Sequence, residues 1–535
     1  VSDVHRLALA AVSGLLLYLS SPGSGGHGLI AWLALVPLLL ATRGLTSWRH
    51  SALLGLLAGL IYHLPLLRWI MVVLGEHGGV ATPVAALALL LLALYMSLYL
   101  ALLTALLPLL TPWGTPPDRG RSDRLALLVM PWAVPVIWVG LDLLRSRLFT
   151  GFPWQDLAYS QYQFPLLIQA ADLAGHYGIS FVIVLVNTLL ALLLSRTQPR
   201  QGFPLPMLPA LLLPVALLLY GPWRLAQLEQ DALPATMVSI IQSNIAQYDK
   251  WDHDQQTATV ERYLELSRQA LAAEPELIVW PETALPFFPL EHKLFQRVEV
   301  FAAGQERSCL LVGAPHRERD TAGIIRYFNS ALLLSPVEPG QETDPLVGIY
   351  HKQHLVPFGE YIPLRRLLPF FAPIVETLGD FSPGPGPTLL NCNQRRLGVL
   401  ICYEAIFPRL ARQMTAAGAD LLINITNDAW FGPTNAPHQH LSMAVLRSVE
   451  NRRSLARAAN TGISALVGSD GRIRQATALF VADQRSALLP LPAHSGQVSL
   501  FTTGGHLFAP GCLLLLIAGI IWRLYVKLRS SKYQL

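Results

Sequence analysis

Apolar positions are unevenly spread along this chain, crowding the first 220 residues and the last 30. Seven apolar spans, at about 6–20, 27–41, 51–74, 80–111, 125–144, 176–195 and 203–221, precede a block with ordinary alternation, and an eighth follows at 506–526. A helix needs about 20 residues to cross a hydrocarbon core of ~30 Å. The first two spans are short by that measure and are expected to tilt, or one of them to lie in the interface. More spans follow the first at once, which argues against a cleaved signal peptide. The expected organisation is a membrane domain over 1–221, a soluble domain over 231–500 and a closing span over 506–526.

Within the block, short apolar runs alternate with helical periodicity. Met237–Gln242, Leu277–Trp280, Cys309–Gly313, Ser330–Leu334, Val347–Tyr350, Arg396–Cys402, Asp420–Ile425 and Ile463–Val467 read as strands. Asp254–Ala273, Ile406–Ala416 and His440–Arg452 read as helices. Such alternation predicts an α/β sandwich with sheets inside and helices outside. No internal repeat is visible, and the Pro/Gly-rich pieces 373–387 and 432–437 read as surface loops beside a site.

Composition agrees with this division. Only 14% of the 535 residues are charged and 52% are hydrophobic, against roughly 25% charged in soluble domains, so lipid must solvate much of the chain. The net charge of +5 calls for no nucleic-acid partner, because the basic residues sit in short loops beside the spans. Arg43 and Arg49, then Arg119, Arg121 and Arg124, then Arg196 and Arg200, then Arg523, Lys527, Arg529 and Lys532 all fall on one side of an eight-span topology. Arg145 and Arg147 are a mild exception. The charge rule for short loops then places both termini in the cytoplasm and the soluble block outside, in the periplasm of a Gram-negative cell. Four cysteines make no disulfide framework. Cys309 and Cys392 could pair in an oxidising compartment, but unpaired buried thiols are the expectation.

Three segments each deliver a reactive side chain just past an apolar strand. Trp280-Pro281-Glu282-Thr283 offers a carboxylate, and the run from Tyr350 to Glu360 offers Lys352 and a second carboxylate. Gly398-Val399-Leu400-Ile401-Cys402-Tyr403-Glu404 brings a thiol to a strand-to-helix turn. There, helix-start N–H groups are expected to favour thiolate and developing oxyanion. A carboxylate can take the thiol proton, a lysine can stabilise thiolate and oxyanion, and the Tyr403 N–H is the natural second donor. Glu282, Lys352 and Cys402 thus make an acyl-transfer set. His351 and His354 read as structural, since no cysteine or acidic residue stands at ligand spacing, and no metal is expected.

In this order the three residues resemble those of the nitrilase superfamily, and the chain is more closely similar to its integral-membrane branch, the apolipoprotein N-acyltransferases. The similarity rests on Gln242-Ser243-Asn244-Ile245, Trp280 to Thr283, Lys352 to Glu360, Cys402-Tyr403-Glu404, Asn427-Asp428-Ala429-Trp430-Phe431-Gly432 and Gly151-Phe152-Pro153-Trp154. It implies a nitrilase-like α-β-β-α sandwich beside a multi-pass helical domain in the bacterial inner membrane. It also implies acyl transfer from a phospholipid, through a Cys402 thioester, to the α-amine of a diacylglyceryl-cysteine on an apolipoprotein. Glu282 would be the base, and Lys352 with the Tyr403 N–H would hold the oxyanion. Glu360 would be an additional carboxylate, Tyr403 and Glu404 would shape the site, and Trp251 and Trp430 would lie on mobile loops. No cofactor is implied, and the expected species is a monomer.

Two other readings stay open on sequence. A membrane-tethered amidase would use the same three residues with water as acceptor. A transporter with a large outer domain would not, and the spans lack the central charges and inverted repeat that transport favours. Among polar residues in or beside the spans, His63, Arg68, Asp142, Gln155 and Asp156 are expected to support the fold or meet headgroups.

Overall fold

The computed structural model describes residues 2–111, 113, 121–195, 207–230, 234–338, 343–362, 380–494 and 496–532. Its apolar half is a bundle of helices α1 (Asp3–Ser20), α2 (Val36–Thr42), α3 (Trp48–Leu66), α4 (Thr82–Leu110), α5 (Arg121–Arg145), α6 (Ala171–Leu194) and α7 (Leu208–Gln230). Among the described residues six helices are long and apolar enough to cross a membrane, one of them the closing helix; a seventh counts if α3 and Trp69–His77, bent by 51°, form one span. This is close to the expected eight, and residues 203–206 of one expected span lie outside the described residues. The run at 27–41 is not a continuous helix but a 3-10 turn, Gly28–Trp32, followed by the seven-residue α2. Ala31, Leu35, Leu38 and Leu39 are buried there, so it packs inside the bundle. Pro65 lies near the end of α3, where a ring without an N–H favours the bend that follows. Arg119, Arg196, Arg200 and positions 373–379 of the Pro/Gly-rich piece lie outside the described residues.

The soluble block is two facing six-stranded sheets. The first runs β12-β1-β2-β3-β4-β5, with β1 Ala235–Gln242, β2 Leu277–Val279, β3 Cys309–Arg319, β4 Ile325–Leu334, β5 Leu346–His351 and β12 Asp483–Pro490. The second runs β6-β7-β8-β9-β10-β11, with β6 Leu389–Cys392, β7 Arg395–Ile401, β8 Leu421–Thr426, β9 Leu455–Ala459, β10 Ala465–Val467 and β11 Ile473–Ala476. Each sheet has two consecutive parallel pairings, β1–β2–β3 and β7–β8–β9, flanked by antiparallel ones.

Strand parity sorts the side chains. Val238, Ile240, Leu277, Val279 and Leu311 enter the core between the sheets with Leu397 and Val399. Ile241, Ile278, Trp280, Leu310, Val312 and Leu332 face outward, under α8 (Gln256–Ala270) and α9 (Phe295–Ala303). The other layer is α10 (Pro408–Ala416) and α11 (Ala436–Asn451); α12 (Phe508–Lys532) closes the chain.

Cys309 and Cys392 form a disulfide with Cα atoms 6.1 Å apart. This corrects the expectation of unpaired thiols. Both residues point into the space between the sheets, one at the start of β3 and one at the end of β6. Their separation of 83 residues hides that proximity. Among the described residues Cys402 and Cys512 are free.

Every residue of α11 except His438 is buried. One side packs on the second sheet and the other on α6 and the turn Leu157–Gln161, so the helix is a wall shared by membrane bundle and sandwich. Polar residues dock the two parts. Trp154 Nε1 donates to Gln439 Oε1 at 2.7 Å, and Gln155 Nε2 to the Gln439 carbonyl and to Ser442. His176 bridges Asp156 at 2.8 Å and Glu450 at 3.0 Å, while Arg145 pairs with both Asp156 and Asp142. His63 is likewise buried, its Nδ1 hydrogen-bonded to Ser97. The expected fold-support role of His63, Asp142, Gln155 and Asp156 fits these contacts. Arg145 also ceases to be an exposed loop charge. Arg68, by contrast, is exposed.

Candidate active site

The sequence-selected groups sit at the ends of β2, β5 and β7, where chain leaving a strand faces the gap between the sheets. Pro281 stops β2, and Glu282 follows with only 6% exposure. Its Oε1 accepts from Asn329 Nδ2 at 2.7 Å, and its Oε2 from the Asn427 N–H at 2.8 Å. Glu282 is thus held from both sheets, by β4 and by the residue after β8.

Lys352 follows β5 and is 1% exposed. Its Nζ lies 3.0 Å from Glu360 Oε1 and 3.6 Å from Glu282 Oε1. Burial pushes the lysine toward its neutral form, but the two carboxylates outweigh it and hold the group above its ordinary range. Glu360 accepts in addition from the Val356 N–H at 2.8 Å and Asn329 Nδ2 at 2.8 Å. Asn329 therefore ties Glu282 and Glu360 to one amide group. Apolar alternation in the sequence marks this strand only from Ser330 onward. Strand β4 starts five residues earlier, at Ile325, and so includes Asn329.

Cys402 follows β7 in the left-handed region, at φ 51°. A non-glycine residue there is strained, and such strain is held by surrounding contacts. The contacts here are specific. The main-chain carbonyl of Cys402 accepts from His440 Nε2 at 3.1 Å. Glu404, fully buried, accepts the N–H groups of Ile401 at 2.7 Å, Gln353 at 2.7 Å and His354 at 3.1 Å, and the Tyr350 hydroxyl. One carboxylate thereby ties the Cys402 turn to the loop of Lys352. Burial raises Glu404 to about 7, although the N–H bonds and Lys352 oppose it.

The turn itself differs from the expectation. Cys402–Ile406 is a 3-10 segment and the α-helix begins only at Pro408. The first N–H groups of such a turn lack intrahelical partners, which leaves the Tyr403 N–H position suited to an oxyanion. No thiolate is favoured at rest, however. Burial and the Glu282 charge push the Cys402 thiol up to about 12, against the pull of Lys352. Burial thus works against the thiolate expected from the helix start.

Tyr403 is buried and its hydroxyl donates to the Gly151 carbonyl at 3.1 Å, linking the turn to the membrane bundle. Trp251 is half-buried on the turn Asp249–Trp251, and Trp430 is 39% exposed on Asp428–Phe431. His77 meets the Trp430 ring edge-on at 5.7 Å, so the end of a bundle helix touches this loop. Sequence reading misses Lys250. Its buried ammonium donates to the Glu282 carbonyl oxygen at 3.0 Å and is lowered to about 8 by burial, with Glu282 and Cys402 opposing. The only signal in the sequence is a charged residue beside Trp251.

Residues 13–189 match the family described as "Apolipoprotein N-acyltransferase N-terminal domain", and 237–480 match "Carbon-nitrogen hydrolase". An apolipoprotein N-acyltransferase of Geobacter metallireducens is 42% identical over 511 residues, 94% of this chain and 92% of that protein. Proteins of the same name from Allorhizobium ampelinum and Pseudomonas aeruginosa are each 37% identical, over 66% and 64% of both chains respectively. Among solved structures, an amidase from Nesterenkonia sp. is 20% identical with TM-score 0.35, over 49% of this chain and 93% of its own. Saccharomyces cerevisiae Nit3, a nitrilase-superfamily member, is 21% identical with TM-score 0.35, over 49% and 92%. With 42% identity over 94% of its length and 92% of that relative's, the chain belongs to the apolipoprotein N-acyltransferase family.

Proposed function

We propose that this protein transfers a fatty acyl chain from a membrane phospholipid to the free α-amine of the N-terminal diacylglyceryl-cysteine of an apolipoprotein, through a thioester on Cys402. The observation that carries this is the convergence of Glu282, Lys352 and the Cys402 turn beside a helical bundle, with Tyr403 bonded to Gly151 of that bundle.

Because the resting sulfur is a protonated thiol, it needs a base at the moment of attack. Glu282 takes the proton as sulfur bonds to the ester carbonyl carbon, and the carbonyl electron pair moves to oxygen. Lys352 and the Tyr403 N–H carry that oxyanion. The oxyanion collapses, the C–O bond breaks, and Glu282 returns its proton to the departing lysophospholipid oxygen. In the second half the neutral amine attacks the thioester, Glu282 removes a proton from the nitrogen of the new adduct, and as the C–S bond breaks it passes that proton to sulfur, leaving amide and free thiol. Lys352, paired with Glu360, stays an ammonium through both halves. Asn329 holds both carboxylates on one shared donor.

Both substrates carry acyl chains, and drawing one into water costs ~0.8 kcal/mol per CH₂. A site joined to a bundle removes that cost if lipid reaches it from the bilayer. The proposed setting is the bacterial inner membrane with a periplasmic sandwich, cytoplasmic termini and a monomeric enzyme. Basic residues at the end of α12 support the orientation, and the Cys309–Cys392 disulfide supports an oxidising compartment.

The test is to incubate purified protein with acyl-labelled phospholipid and look for hydroxylamine-sensitive label on Cys402. A chase with diacylglyceryl-cysteine peptide should move the label to an amide. Free labelled fatty acid in place of the amide would point to an amidase-like hydrolase, and full label on Cys402→Ala protein would falsify the thioester.

A further inference from the structure

A second cluster of polar side chains stands on the opposite face of the first sheet from Lys352. Along β3, Leu310, Val312 and Ala314 face the outer layer, and His316 and Glu318 continue that series. Across the β4–β5 ladder His351 is the partner of Ser330, on the same outward face. His351 thus points away from the active site although it is peptide-bonded to Lys352.

Three potential ligand atoms converge there. Glu318 Oε1 lies 3.0 Å from His351 Nε2 and 3.6 Å from His316 Nδ1, and all three residues offer ligand atoms within 4.8 Å of one another. Independently, His316 is only 6% exposed, and its Nδ1 has no hydrogen-bond partner. A buried imidazole nitrogen without a partner costs free energy that an ion would recover. The groups that would orient the ligands are in place as well. Ser330 Oγ lies 2.7 Å from His351 Nδ1, where it can accept that N–H and leave the Nε2 lone pair to bind. Phe328 stacks on His351 at 4.2 Å and His316 stacks on it at 5.4 Å, which fixes both rings.

We propose that His316, Glu318 and His351 form a divalent transition-metal site, suited to Zn²⁺. Two imidazoles and one carboxylate are a zinc donor set. Nitrogen donors disfavour the hard cations Mg²⁺ and Ca²⁺. Glu318 is about half exposed, which provides an entry path and room for a water ligand. A bound ion would clamp β3 to β5 across β4, the strand that carries Asn329, and so brace the strand end from which Lys352 emerges. The sequence hides this site because the acidic partner stands 33 residues before His351 and reaches it only through the ladder.

The test uses the full chain in detergent, stripped with chelator and titrated with Co²⁺ as a visible probe, then with Zn²⁺. One Co²⁺ per chain should bind with nitrogen–oxygen d–d bands and be displaced by Zn²⁺. Glu318→Gln and His316→Ala should each weaken binding by at least about tenfold, since losing a group that merely orients a ligand already costs about 10–100-fold. Cys402→Ala should leave it unchanged. Glu318→Gln, at a half-exposed position, guards against a folding failure; Zn²⁺ should raise the Tm of the parent but not of this variant. Absence of saturable binding, thiolate charge-transfer bands, or parent-like affinity in both ligand variants would overturn the proposal.

Discussion

Lys250 donates its ammonium to the main-chain oxygen of Glu282, 3.0 Å away, and so ties the Asp249–Trp251 turn to the residue proposed as the base. Lys250→Met should release that loop and lower turnover by on the order of tenfold to hundredfold, the scale of a small misplacement near reacting atoms. The same residue has a pH signature. Its native pKa is about 8, whereas an unfolded lysine titrates near ~10.4. Between those values the unfolded chain holds a proton that the native protein has lost, so stability should rise with pH across that window. Below about 8 the cost of burying the charge is present in full. Thermal unfolding from about pH 7 to about pH 10 should show this rise in the parent and a flatter profile in Lys250→Met. An unchanged slope would remove Lys250 as its source.

Glu282 and Cys402 should separate two properties that usually move together. Glu282→Gln removes the proposed base and should lower acyl transfer by about 10²–10⁴-fold. It also removes a negative neighbour that helps hold the thiol at about 12. Alkylation of Cys402 by a small reagent, followed against pH, should therefore shift to lower pH in the variant while transfer collapses. If alkylation shifted to higher pH, the charge assignment would be wrong.

Removal of the Cys309–Cys392 disulfide should cost stability without touching the chemistry. For a separation of 83 residues, chain entropy assigns about 4.5 kcal/mol to the cross-link. Cys309→Ser with Cys392→Ser should lower the Tm, measured in detergent, and retain the thioester at permissive temperature. Peptide mapping without reductant checks the bond directly.

The buried charges at the bundle–sandwich seam yield the sharpest stability prediction. Asp156 is the shared partner of Arg145 and His176. Asp156→Asn leaves Arg145 in the interior with only the Asp142 carboxylate, and breaking such pairs costs about 3–5 kcal/mol. A thermal-shift measurement should show a large fall, and a fall no greater than that of an exposed change such as Glu265→Gln would refute the role.

The sequence makes some of this legible and conceals the rest for identifiable reasons. Runs of buried β-branched and leucine residues mark β1, β7 and β8, and strand ends mark Glu282, Lys352 and Cys402. Strand β9 escapes because Leu455-Ala456-Arg457-Ala458-Ala459 has little apolar bulk and buries an arginine, which Asp428 and Asn424 partner. Strand β12 escapes because half-exposed residues such as Gln484 and an exposed Arg485 blur its alternation. Asn329 and Lys250 are hidden because neither residue type signals a site until the fold brings it to Glu282. The disulfide and the seam charges are hidden for the same reason, since sequence separation says nothing about which faces meet. The run at 27–41 reads as a span because its apolar residues do not reveal that protein buries them, as in α2.

Helix α11, buried on nearly all sides, has a consequence for how the molecule can be taken apart. A segment with no face left for water cannot be the surface of either half. Expressing residues 231–500 alone would strip one side of α11 bare, leaving Gln439 without Trp154 and Glu450 without His176. Such a fragment should aggregate or bind detergent, and the intact chain should melt in one transition. The sandwich is in this sense no separate unit with an anchor attached, because α11 is covered only where it also meets the helical bundle.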